Sequence, residues 1–400
     1  MTWSAARAEE HLLGLELFGM RFGLERMRRL LTALGSPQER FGAIHVVGTN
    51  GKSSTVRMTA ALLEAHGVRT GAFLSPHLTS FAERIRIGDA DLEPEAFGAA
   101  VERAAAAAAK VDRGLEEGDR VTQFEVLTAA AFDELARRGV ELAVVEAGLG
   151  GRHDATGVLR APLVVLTNVG LEHTRWLGPT IADIAREKLA VVEPGATLVL
   201  GEVGAEVEAL AELTGARIVR AEPVDAPLPG YQRTNFAVAC AAAREQLGAL
   251  DGALVNAVAE RVSVPGRLQV VDERPLTILD GAHNPSGVEA LAAALPERPF
   301  VGVVAILDDK DAAAMLGALR TRCATFVCTA APNPRTLPPA TLASLAAQLG
   351  AAAEIVPEPR AALARGRALA GPDGAVVVTG SIYLIADLVS APGSRRASAL

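Results

Sequence analysis

Short apolar segments with the character of β-strands alternate with helical segments along this chain of 400 residues. Such alternation is typical of parallel α/β proteins, in which each helix returns the chain to the start of the next strand. The strands predicted in the first two thirds of the chain span residues 43–47, 70–74, 142–146 and 163–166. A second series is predicted at residues 276–279, 300–305, 325–328 and 375–378. The expected fold class is therefore α/β, with a large, mostly parallel sheet domain and a smaller, Rossmann-like α/β C-terminal domain.

A Pro-Gly-Arg segment at 265–267 lies between the two series and predicts a domain boundary, with one domain over 1–264 and the other over 265–390. Residues 391–400 are small and polar, which predicts a frayed tail. Near the N-terminus, apolar residues recur at helical spacing and predict one long helix over 9–34. Further predicted helices span 95–111, 123–138, 287–294 and 339–349.

Composition and charge exclude several classes of protein. The chain is half apolar and carries a formal net charge of -8, which argues against a nucleic-acid or membrane-surface binder that relies on bulk positive charge. No apolar run reaches the roughly 18 residues that span a bilayer, and the first residues lack the pattern of a secretory signal. The spacing of the three cysteines fits neither a disulfide framework nor a zinc site. We expect a monomeric cytoplasmic protein without nucleic-acid or membrane partners.

Lysine is scarce in this chain. Of the 39 basic residues only Lys52, Lys110, Lys188 and Lys310 are lysines, and the others are arginines. Where arginine carries the ordinary surface charge, a remaining lysine is a candidate for work that needs a compact amine able to lose its proton. Chance within an arginine-rich composition is the alternative for any one of them.

The segment Gly48-Thr49-Asn50-Gly51-Lys52-Ser53-Ser54 lies between a predicted strand and a helix. Backbone N–H groups of such a loop, together with the start of the helix, bind phosphate groups. The Lys52 ammonium can reach terminal phosphate oxygens, and the hydroxyl of Ser53 or Ser54 can bind magnesium. This predicts that the large domain is of P-loop type, although the spacing is shorter than usual and a plain Gly/Ser turn remains the alternative.

Polar residues follow two further strands of the same domain. Glu146 ends a predicted strand, and His173 lies just beyond the next one. Because ligands bind at the carboxyl edge of parallel sheets, both side chains are placed to hold a magnesium ion there. A strand-end glutamate paired with an arginine, and a histidine with a structural role, are the alternatives.

Lys188 and the segment 280–285 complete the set of candidates. The Lys188 amine, on a predicted helix, can lose its proton and react with carbon dioxide to form a carbamate; an exposed helical lysine is the alternative. In the second domain, Asp280 and His283 follow a strand, and Arg267 lies just upstream as a cation suited to phosphate. A turn that caps a helix is the alternative for Asp280 and His283.

With these segments assembled, the chain resembles the Mur-ligase superfamily and, within it, the bacterial dihydrofolate synthase/folylpolyglutamate synthase family. The matching motifs run in order over nearly the whole chain, at residues 22–27, 45–54, 74–78, 83–85, 122–125, 148–156, 172–174 with 177–178, 187–188, 265–267, 280–285, 309–311 and 380–384. Departures from the family pattern are Ser53 where glycine is usual, Ala147, the Leu189-Ala190 pair, and His153 where leucine is common.

The resemblance implies roles for individual residues. The implied catalytic residues are Lys52, Glu146, His173, Lys188 and His283. The implied ATP-binding residues are Thr49, Asn50, Gly51, Lys52, Ser53, Ser54, Asn235, Arg267 and Asp280. The implied magnesium ligands are Ser54, Ser75, Glu146, His173 and a carbamylated Lys188. Leu24, Thr122, Phe124, Asp154 and Ala155 would line the pteroate pocket, and Arg84 and Ser381, with His283, would face the incoming glutamate.

The activity implied is ATP-dependent joining of L-glutamate to dihydropteroate, to the γ-carboxylate of tetrahydrofolate glutamates, or to both, through an acyl phosphate, with release of ADP and phosphate. The implied cofactors are ATP and two magnesium ions, with a monovalent cation as a further candidate, and the partners are the small-molecule substrates. The alternatives are another Mur-type amino-acid ligase, a non-catalytic nucleotide-binding relative, and a simple phosphotransferase.

Overall fold

The computed structural model describes residues 2–16 and 23–391. Its strands are β1 (Gly42–Val47), β2 (Thr70–Phe73), β3 (Ile85–Ile87), β4 (Ala90–Asp91), β5 (Leu142–Glu146), β6 (Leu163–Leu166), β7 (Thr197–Leu200), β8 (Arg217–Arg220), β9 (Gln269–Glu273), β10 (Leu276–Leu279), β11 (Phe300–Val304), β12 (Cys323–Cys328), β13 (Ala352–Ile355) and β14 (Ala375–Thr379). Its α-helices are α1 (Ala5–Leu13), α2 (Glu25–Ala33), α3 (Lys52–Ala65), α4 (Pro94–Asp112), α5 (Gln123–Arg137), α6 (Thr174–Leu177), α7 (Ile181–Leu189), α8 (Ala205–Glu212), α9 (Tyr231–Leu247), α10 (Gly252–Arg261), α11 (Pro285–Ala294), α12 (Ala312–Leu319), α13 (Pro339–Gln348), α14 (Pro359–Ala370) and α15 (Ile382–Val389). Short 3-10 helices lie at Pro37–Glu39, Phe81–Arg84 and Ala155–Val158.

The strands form two sheets. The first has eight strands in the order β4-β3-β2-β5-β1-β6-β7-β8, parallel from β2 to β8, with β3 and β4 antiparallel at one edge. The second has six strands in the order β13-β12-β11-β14-β10-β9, and only β9 runs antiparallel. Central strands such as β5 and β14 are buried along their whole length, as expected for parallel strands covered by helices on both faces. The predicted fold class is confirmed.

Each face of the first sheet packs against its own set of helices. Helices α1, α2, α4 and α5 bury their apolar residues against one face, while α3, α9 and α10 pack against the other. The core on the second face still includes Val264, and the second sheet begins at Gln269. The chain therefore passes from the first sheet domain to the second between Val264 and Gln269. The exact boundary at 264/265 stays a prediction.

Strand β1 lies at the centre of the first sheet, between β5 and β6. Val46 is the partner of Glu146 on one side, and Val47 is the partner of Leu166 on the other. The carboxyl ends of the three strands therefore lie side by side. This register brings the loop after β1 between Glu146 and the segment that leads to His173.

The predicted helix over 9–34 is wrong. Helix α1 ends at Leu13, where the Gly14 N–H bonds the last carbonyls, and α2 begins only at Glu25. Gly23, just before α2, has a φ of 133°, which no α-helix accommodates. Residues 17–22 of the predicted helix, the first residue of the 22–27 motif and residues 392–400 of the predicted tail lie outside the described residues. Among the helices that the structure describes, none is long and apolar enough to cross a membrane.

Candidate active site

A cavity of about 820 Å³ lies between the two sheet domains and is lined by residues of both. It brings together the residues that sequence analysis singled out, from loops far apart in the chain. They are Leu24, Thr49, Asn50, Gly51, Lys52, Ser53, Ser54, Ser75, Arg84, Thr122, Phe124, Glu146, Asp154, Ala155, His173, Lys188, Asn235, Arg267, Asp280, His283 and Ser381. A cavity of this size can hold a nucleotide and part of a second substrate at once.

At both ends of the loop from Gly48 to Gly51 there is no room for a side chain. A Cβ atom on Gly48 would lie 1.9 Å from Thr167 Oγ1, and one on Gly51 would lie 2.4 Å from Asn235 Oδ1. Gly51 has a φ of 81° and immediately precedes Lys52, the first residue of α3. The loop therefore leads straight into a helix N-terminus, the arrangement that favours phosphate.

Asn168 organises this loop, and sequence analysis did not single it out. Its carbonyl accepts from the Thr49 N–H at 3.0 Å, and its side-chain oxygen accepts from the Asn50 N–H at 2.9 Å. Its position just beyond the end of β6 was the signal that could have found it. The Lys52 ammonium donates to the Thr49 carbonyl at 3.2 Å and otherwise borders the cavity.

Glu146 is a buried carboxylate at the end of β5, only 1% exposed. It accepts from Ser53 Oγ at 2.9 Å and from the Ser75 N–H at 3.1 Å. Burial raises its pKa, and within the described part of the chain no lysine or arginine lies within ion-pair distance of it. A bound cation would offset the cost of this buried charge, and a carboxylate beside hydroxyl groups is an oxygen-rich donor set suited to magnesium.

The two serines that sequence analysis left open differ in their surroundings. Ser53 places its hydroxyl on Glu146, whereas Ser54 is 2% exposed within α3 and also borders the cavity. The Ser53 hydroxyl is thus the one that the structure brings to the carboxylate.

His173 follows β6 and adopts a left-handed backbone conformation with a φ of 52° just before α6. Burial lowers the pKa of its imidazole to about 4. The ring is therefore neutral near pH 7, which is the form that binds metals. In the described residues, no group of three or more His, Cys, Asp or Glu side chains forms a metal centre by itself. A metal ion here would need hydroxyl groups and phosphate oxygens as further ligands.

Lys188 is buried at 4% exposure on α7, so it is not a solvated helical lysine. Its ammonium donates to the Gly48 carbonyl at 2.8 Å, and among the described residues no carboxylate lies within ion-pair distance. Burial, with the positive charge of Lys52 adding to it, lowers the pKa of Lys188 to about 7. A large fraction of this amine is therefore uncharged near neutral pH.

Both oxygens of the Asp280 carboxylate accept hydrogen bonds from the protein. Oδ1 accepts from the Ala282 N–H and Oδ2 from the Leu268 N–H, both at 2.8 Å. The Tyr231 hydroxyl, which comes from α9 of the first domain, also donates to Oδ2. Tyr231 was missed by sequence analysis, although it lies one helical turn before Asn235. Asp280 thus joins the two domains at this end of the cavity.

A pair of side-chain amides joins the phosphate loop to the second domain. Asn50 donates to Asn284 Oδ1 at 3.1 Å, and Asn284 donates back to Asn50 Oδ1 at 2.9 Å. Asn284 also caps α11 by accepting from the Gly287 N–H at 2.8 Å. The capping alternative for the 280–285 segment therefore applies to Asn284.

His283 points across the cavity at the first domain. Its Nε2 lies 3.0 Å from Glu172 Oε1, and its Nδ1 lies 2.8 Å from the Gly281 carbonyl oxygen. Lys310 Nζ lies 3.4 Å from the same Glu172 oxygen. Glu172 was not predicted as a site residue, since the sequence shows only that it precedes His173.

The predicted pteroate pocket is built on α2, α5 and the loop after β5. The Phe124 ring lies against Gly148, where a Cβ atom would come within 2.6 Å of it. Asp154 accepts from the Leu149 N–H at 2.8 Å and the Thr156 N–H at 3.0 Å, and burial raises its pKa. These contacts fix the positions of Phe124 and Asp154 in the cavity wall.

Thr122 and Glu125 cap α5 reciprocally: the Glu125 N–H donates to Thr122 Oγ1 at 3.3 Å, and the Thr122 N–H donates to Glu125 Oε2 at 2.8 Å. Arg26 borders the cavity and forms ion pairs with Glu125 at 3.2 Å and Asp119 at 3.1 Å. Sequence analysis missed Arg26, whose partners lie about a hundred residues away.

Arg84 and Ser381 lie where the two domains meet. The Arg84 guanidinium is 2% exposed and donates to His77 Nδ1 at 2.9 Å. Burial lowers its pKa to about 10, so it stays charged near pH 7. The Ser381 hydroxyl begins α15 and accepts from the Tyr383 N–H at 3.2 Å. A buried cation that borders a cavity is suited to a substrate carboxylate.

Two family models match this chain, the Mur ligase middle domain over residues 46–201 and the Mur ligase glutamate ligase domain over residues 266–382. The dihydrofolate synthase/folylpolyglutamate synthase of Mycobacterium tuberculosis is 35% identical over 82% of this chain and 78% of its own length. The folylpolyglutamate synthase of Lacticaseibacillus casei is 33% identical over 90% and 92%, respectively. The chain belongs to the dihydrofolate synthase/folylpolyglutamate synthase family of Mur ligases. It is accordingly a ligase, and the predicted family and enzyme class are confirmed.

Solved structures of this family agree with the fold. Mycobacterium tuberculosis folylpolyglutamate synthase complexed with ADP matches with a TM-score of 0.88 at 32% identity, over 96% of this chain and 97% of that one. The Escherichia coli family member solved with DHPP and ADP matches with a TM-score of 0.86 at 28% identity, over 96% of each chain. This chain spans 49% of a longer family member, a probable bifunctional folylpolyglutamate synthase/dihydropteroate synthase of Haloferax volcanii that is 34% identical.

Proposed function

We propose that this protein is an ATP- and magnesium-dependent ligase that joins L-glutamate to dihydropteroate, to the γ-carboxylate of tetrahydrofolate glutamates, or to both. One observation carries the proposal: a single cavity is lined by the phosphate loop, by Glu146 and His173, by the apolar side chains of Leu24, Phe124 and Ala155, and by the buried Arg84. These parts match the three substrates, a triphosphate, an aromatic pteroate and an amino acid. Names of relatives, such as dihydrofolate synthase/folylpolyglutamate synthase, support the same assignment.

The nucleotide would lie along the phosphate loop. The start of α3 and the Lys52 ammonium would face the triphosphate, and Asn235 and Arg267 would border the nucleoside end. Glu146, His173, Ser75 and the loop serines would hold magnesium, with Lys188 supporting a second ion. Bound magnesium supplies neutralisation of the negative charge on the transferred phosphate.

The reaction proceeds in two steps. A carboxylate oxygen of the acceptor attacks the γ-phosphorus, the bond to the bridging oxygen breaks, and ADP leaves, which gives an acyl phosphate. The glutamate amine then attacks the acyl carbon, the carbon–oxygen bond to phosphate breaks, and the nitrogen gives up a proton to form the amide. Three anionic groups meet here, so the charges of Lys52, Arg84 and Arg267 offset their mutual repulsion.

The chain's other contribution is to position the reactants and to exclude water. The acyl phosphate is prone to hydrolysis, and the two domains enclose the space in which it forms. Contacts across the cavity, such as the Asn50–Asn284 pair and the Tyr231–Asp280 hydrogen bond, hold the domains together around it. Domain closure thus protects the intermediate until the amine arrives.

We further propose that Lys188 is carbamylated. Only an uncharged amine reacts with carbon dioxide, and the pKa of about 7 provides that form near neutral pH. The carbamate would add an anionic oxygen ligand close to the phosphate loop. The protein would work as a cytoplasmic monomer; the monovalent cation stays a prediction.

The proposed function is tested by ADP release from ATP and magnesium, with dihydropteroate or tetrahydrofolate as acceptor, each with and without glutamate. We expect release that requires both an acceptor and glutamate. Activity with both acceptors would show a bifunctional enzyme. Release of a phosphorylated acceptor without glutamate would indicate a phosphotransferase, and no release with either acceptor would favour another Mur-type amino-acid ligase or a non-catalytic relative.

A further inference from the structure

Three of the four lysines in this arginine-rich chain line the cavity between the domains, namely Lys52, Lys188 and Lys310. The proposed function gives roles to the first two and none to Lys310. Lys110 lies exposed near the end of α4. Lys310 is therefore the one lysine of the described cavity that the reaction, as outlined, leaves without a part.

Lys310 belongs to the second domain and reaches the first. It lies in the loop between β11 and α12, and its side chain is 10% exposed. Its ammonium lies 3.2 Å from Asp309 Oδ2 on its own loop and 3.4 Å from Glu172 Oε1 across the cavity. A buried ion pair across a domain interface holds its two side chains in one geometry, whereas a solvated surface pair does not.

A second side chain of the second domain also contacts Glu172. His283 Nε2 lies 3.0 Å from the same carboxylate oxygen. Two side chains of the second domain therefore hold Glu172 Oε1 from across the cavity.

Glu172 directly precedes His173, and His173 has the left-handed backbone that residues with side chains seldom adopt. Such a conformation persists only where neighbouring contacts hold it. The backbone of His173 is tied forward into α6, because its carbonyl accepts from the N–H groups of Trp176 at 2.8 Å and Leu177 at 3.0 Å. On its other side, the Glu172 side chain is tied to the second domain.

We propose that Lys310 is a positioning residue of the ligation reaction: with His283 it anchors Glu172, and through Glu172 it sets the place of the His173 imidazole. The metal site of the first domain is then complete only when the second domain lies against it. The inference rests on the proposed function, in which His173 holds magnesium. It gives a role to a cation of the second domain that contacts a loop of the first.

Manganese binding in the presence of the ATP analogue AMPPNP tests this without turnover. The electron paramagnetic resonance signal of free manganese gives the dissociation constant for the full-length chain and its variants. We expect Lys310→Met to weaken manganese binding about tenfold, the scale seen when a group that orients a metal ligand is lost. Lys110→Met is the matched control, the same substitution at an exposed lysine, and should leave the constant unchanged.

Two further variants separate positioning from loss of folding. Lys310→Arg keeps the charge on a longer side chain and should stay within about threefold of wild type. Glu172→Gln removes the anchored charge and should reproduce the Lys310→Met loss. The double variant Lys310→Met/Glu172→Gln should lose no more manganese affinity than either single variant, because both substitutions act through one contact. Circular dichroism confirms that each variant is folded.

A second readout follows the segment itself. The chain has two tryptophans, Trp3 and Trp176, and Trp176 is 39% exposed in α6, the helix that follows His173. In a Trp3→Phe background, the fluorescence of Trp176 should change when manganese and AMPPNP are added. We expect Lys310→Met to reduce that change at equal occupancy of the metal, and Lys110→Met to preserve it.

The outcomes separate the two proposals. If Lys310→Met binds manganese as tightly as Lys110→Met, the inference is overturned while glutamate ligation stands. If the wild-type chain binds manganese but does not ligate glutamate, while Lys310→Met binds manganese about tenfold more weakly, the proposed function fails and only the role of Lys310 in positioning the metal site stands. If the wild-type chain binds no manganese with AMPPNP, the metal site and the inference fail together.

Discussion

Replacement of Lys188 tests the carbamate, because the chain offers a buried amine with no carboxylate partner among the described residues. In the part of the chain that the structure describes, its ammonium donates only to the Gly48 carbonyl, at 2.8 Å. Lys188→Arg keeps a positive charge but has no amine that can react with carbon dioxide. Lys188→Ala removes the side chain and leaves space in which a small carboxylate can bind.

The pKa of about 7 sets the size of the effect. At pH 7 about half of the amine is uncharged, and at pH 6 only about one tenth. Carbamate formation should therefore fall about fivefold between these two values if dissolved carbon dioxide is held constant. Loss of an anionic ligand to magnesium should cost at least about tenfold in turnover.

Glutamate-dependent ADP release measures these effects. We expect Lys188→Ala and Lys188→Arg to lose at least about tenfold in turnover. Acetate should restore part of the activity to Lys188→Ala and none to Lys188→Arg, whose side chain fills the space. Wild-type activity should fall after carbon dioxide is removed from the buffer and return with bicarbonate.

Near-wild-type turnover of Lys188→Arg would refute the carbamate, because arginine cannot form one. Failure of acetate to restore Lys188→Ala, together with wild-type activity that ignores bicarbonate, would lead to the same conclusion. Lys110→Ala is the control for general effects of removing a lysine, since it lies exposed near a helix end.

Three further predictions follow. Lys188→Met should be inactive, and in buffer freed of carbon dioxide, where Lys188 is a plain amine, it should be more stable than wild type near pH 7. Burial depresses the pKa of this lysine, so wild-type stability rises with pH from about 7 towards the unfolded value of about 10.5. Thermal unfolding from pH 7 to 9 should show this rise in the wild type and not in the variant. Gly48→Ala would place a Cβ 1.9 Å from Thr167 Oγ1 and should cost about 1–3 kcal/mol in the free energy of unfolding, measured by denaturant titration. The control is Gly195→Ala, also at positive φ but with no neighbour within 4 Å, which should cost less. Equal losses would contradict the argument that the Gly48 Cβ is crowded. Tyr231→Phe removes one hydrogen-bond donor from the buried Asp280 carboxylate. It should raise the KM for ATP about tenfold, the scale of a hydrogen bond to a charged group, with kcat little changed. An unchanged KM would contradict a nucleotide-binding role for Tyr231 and Asp280.

The sequence predicted most of the parallel framework. Strands β5, β6 and β10 begin and end at the predicted residues because each is a short apolar run between turn residues. Their order along the chain and the glycine-rich loop were enough to place Glu146 and His173 at one sheet edge. The prediction of one long N-terminal helix failed because apolar spacing continued past Gly14, which ends α1, and past Gly23, whose φ of 133° is not helical.

What the sequence could not predict are the contacts between residues far apart in the chain. The pairing of Asn50 with Asn284 and the ion pairs of Arg26 depend on how domains and helices pack. The same is true of the burial of Lys188, which decides between a solvated cation and a reactive amine. Residue types suggested the chemistry, and packing supplied the partners and the pKa values.

Transfer of isotope during turnover tests glutamate ligation through an acyl phosphate most directly. The acceptor carboxylate is labelled with a heavy oxygen isotope, and the enzyme is supplied with ATP, magnesium and glutamate. We predict that one labelled oxygen appears in each released phosphate and that the product is heavier by one glutamyl residue. Unlabelled phosphate, or phosphate release that does not depend on glutamate, would contradict the account.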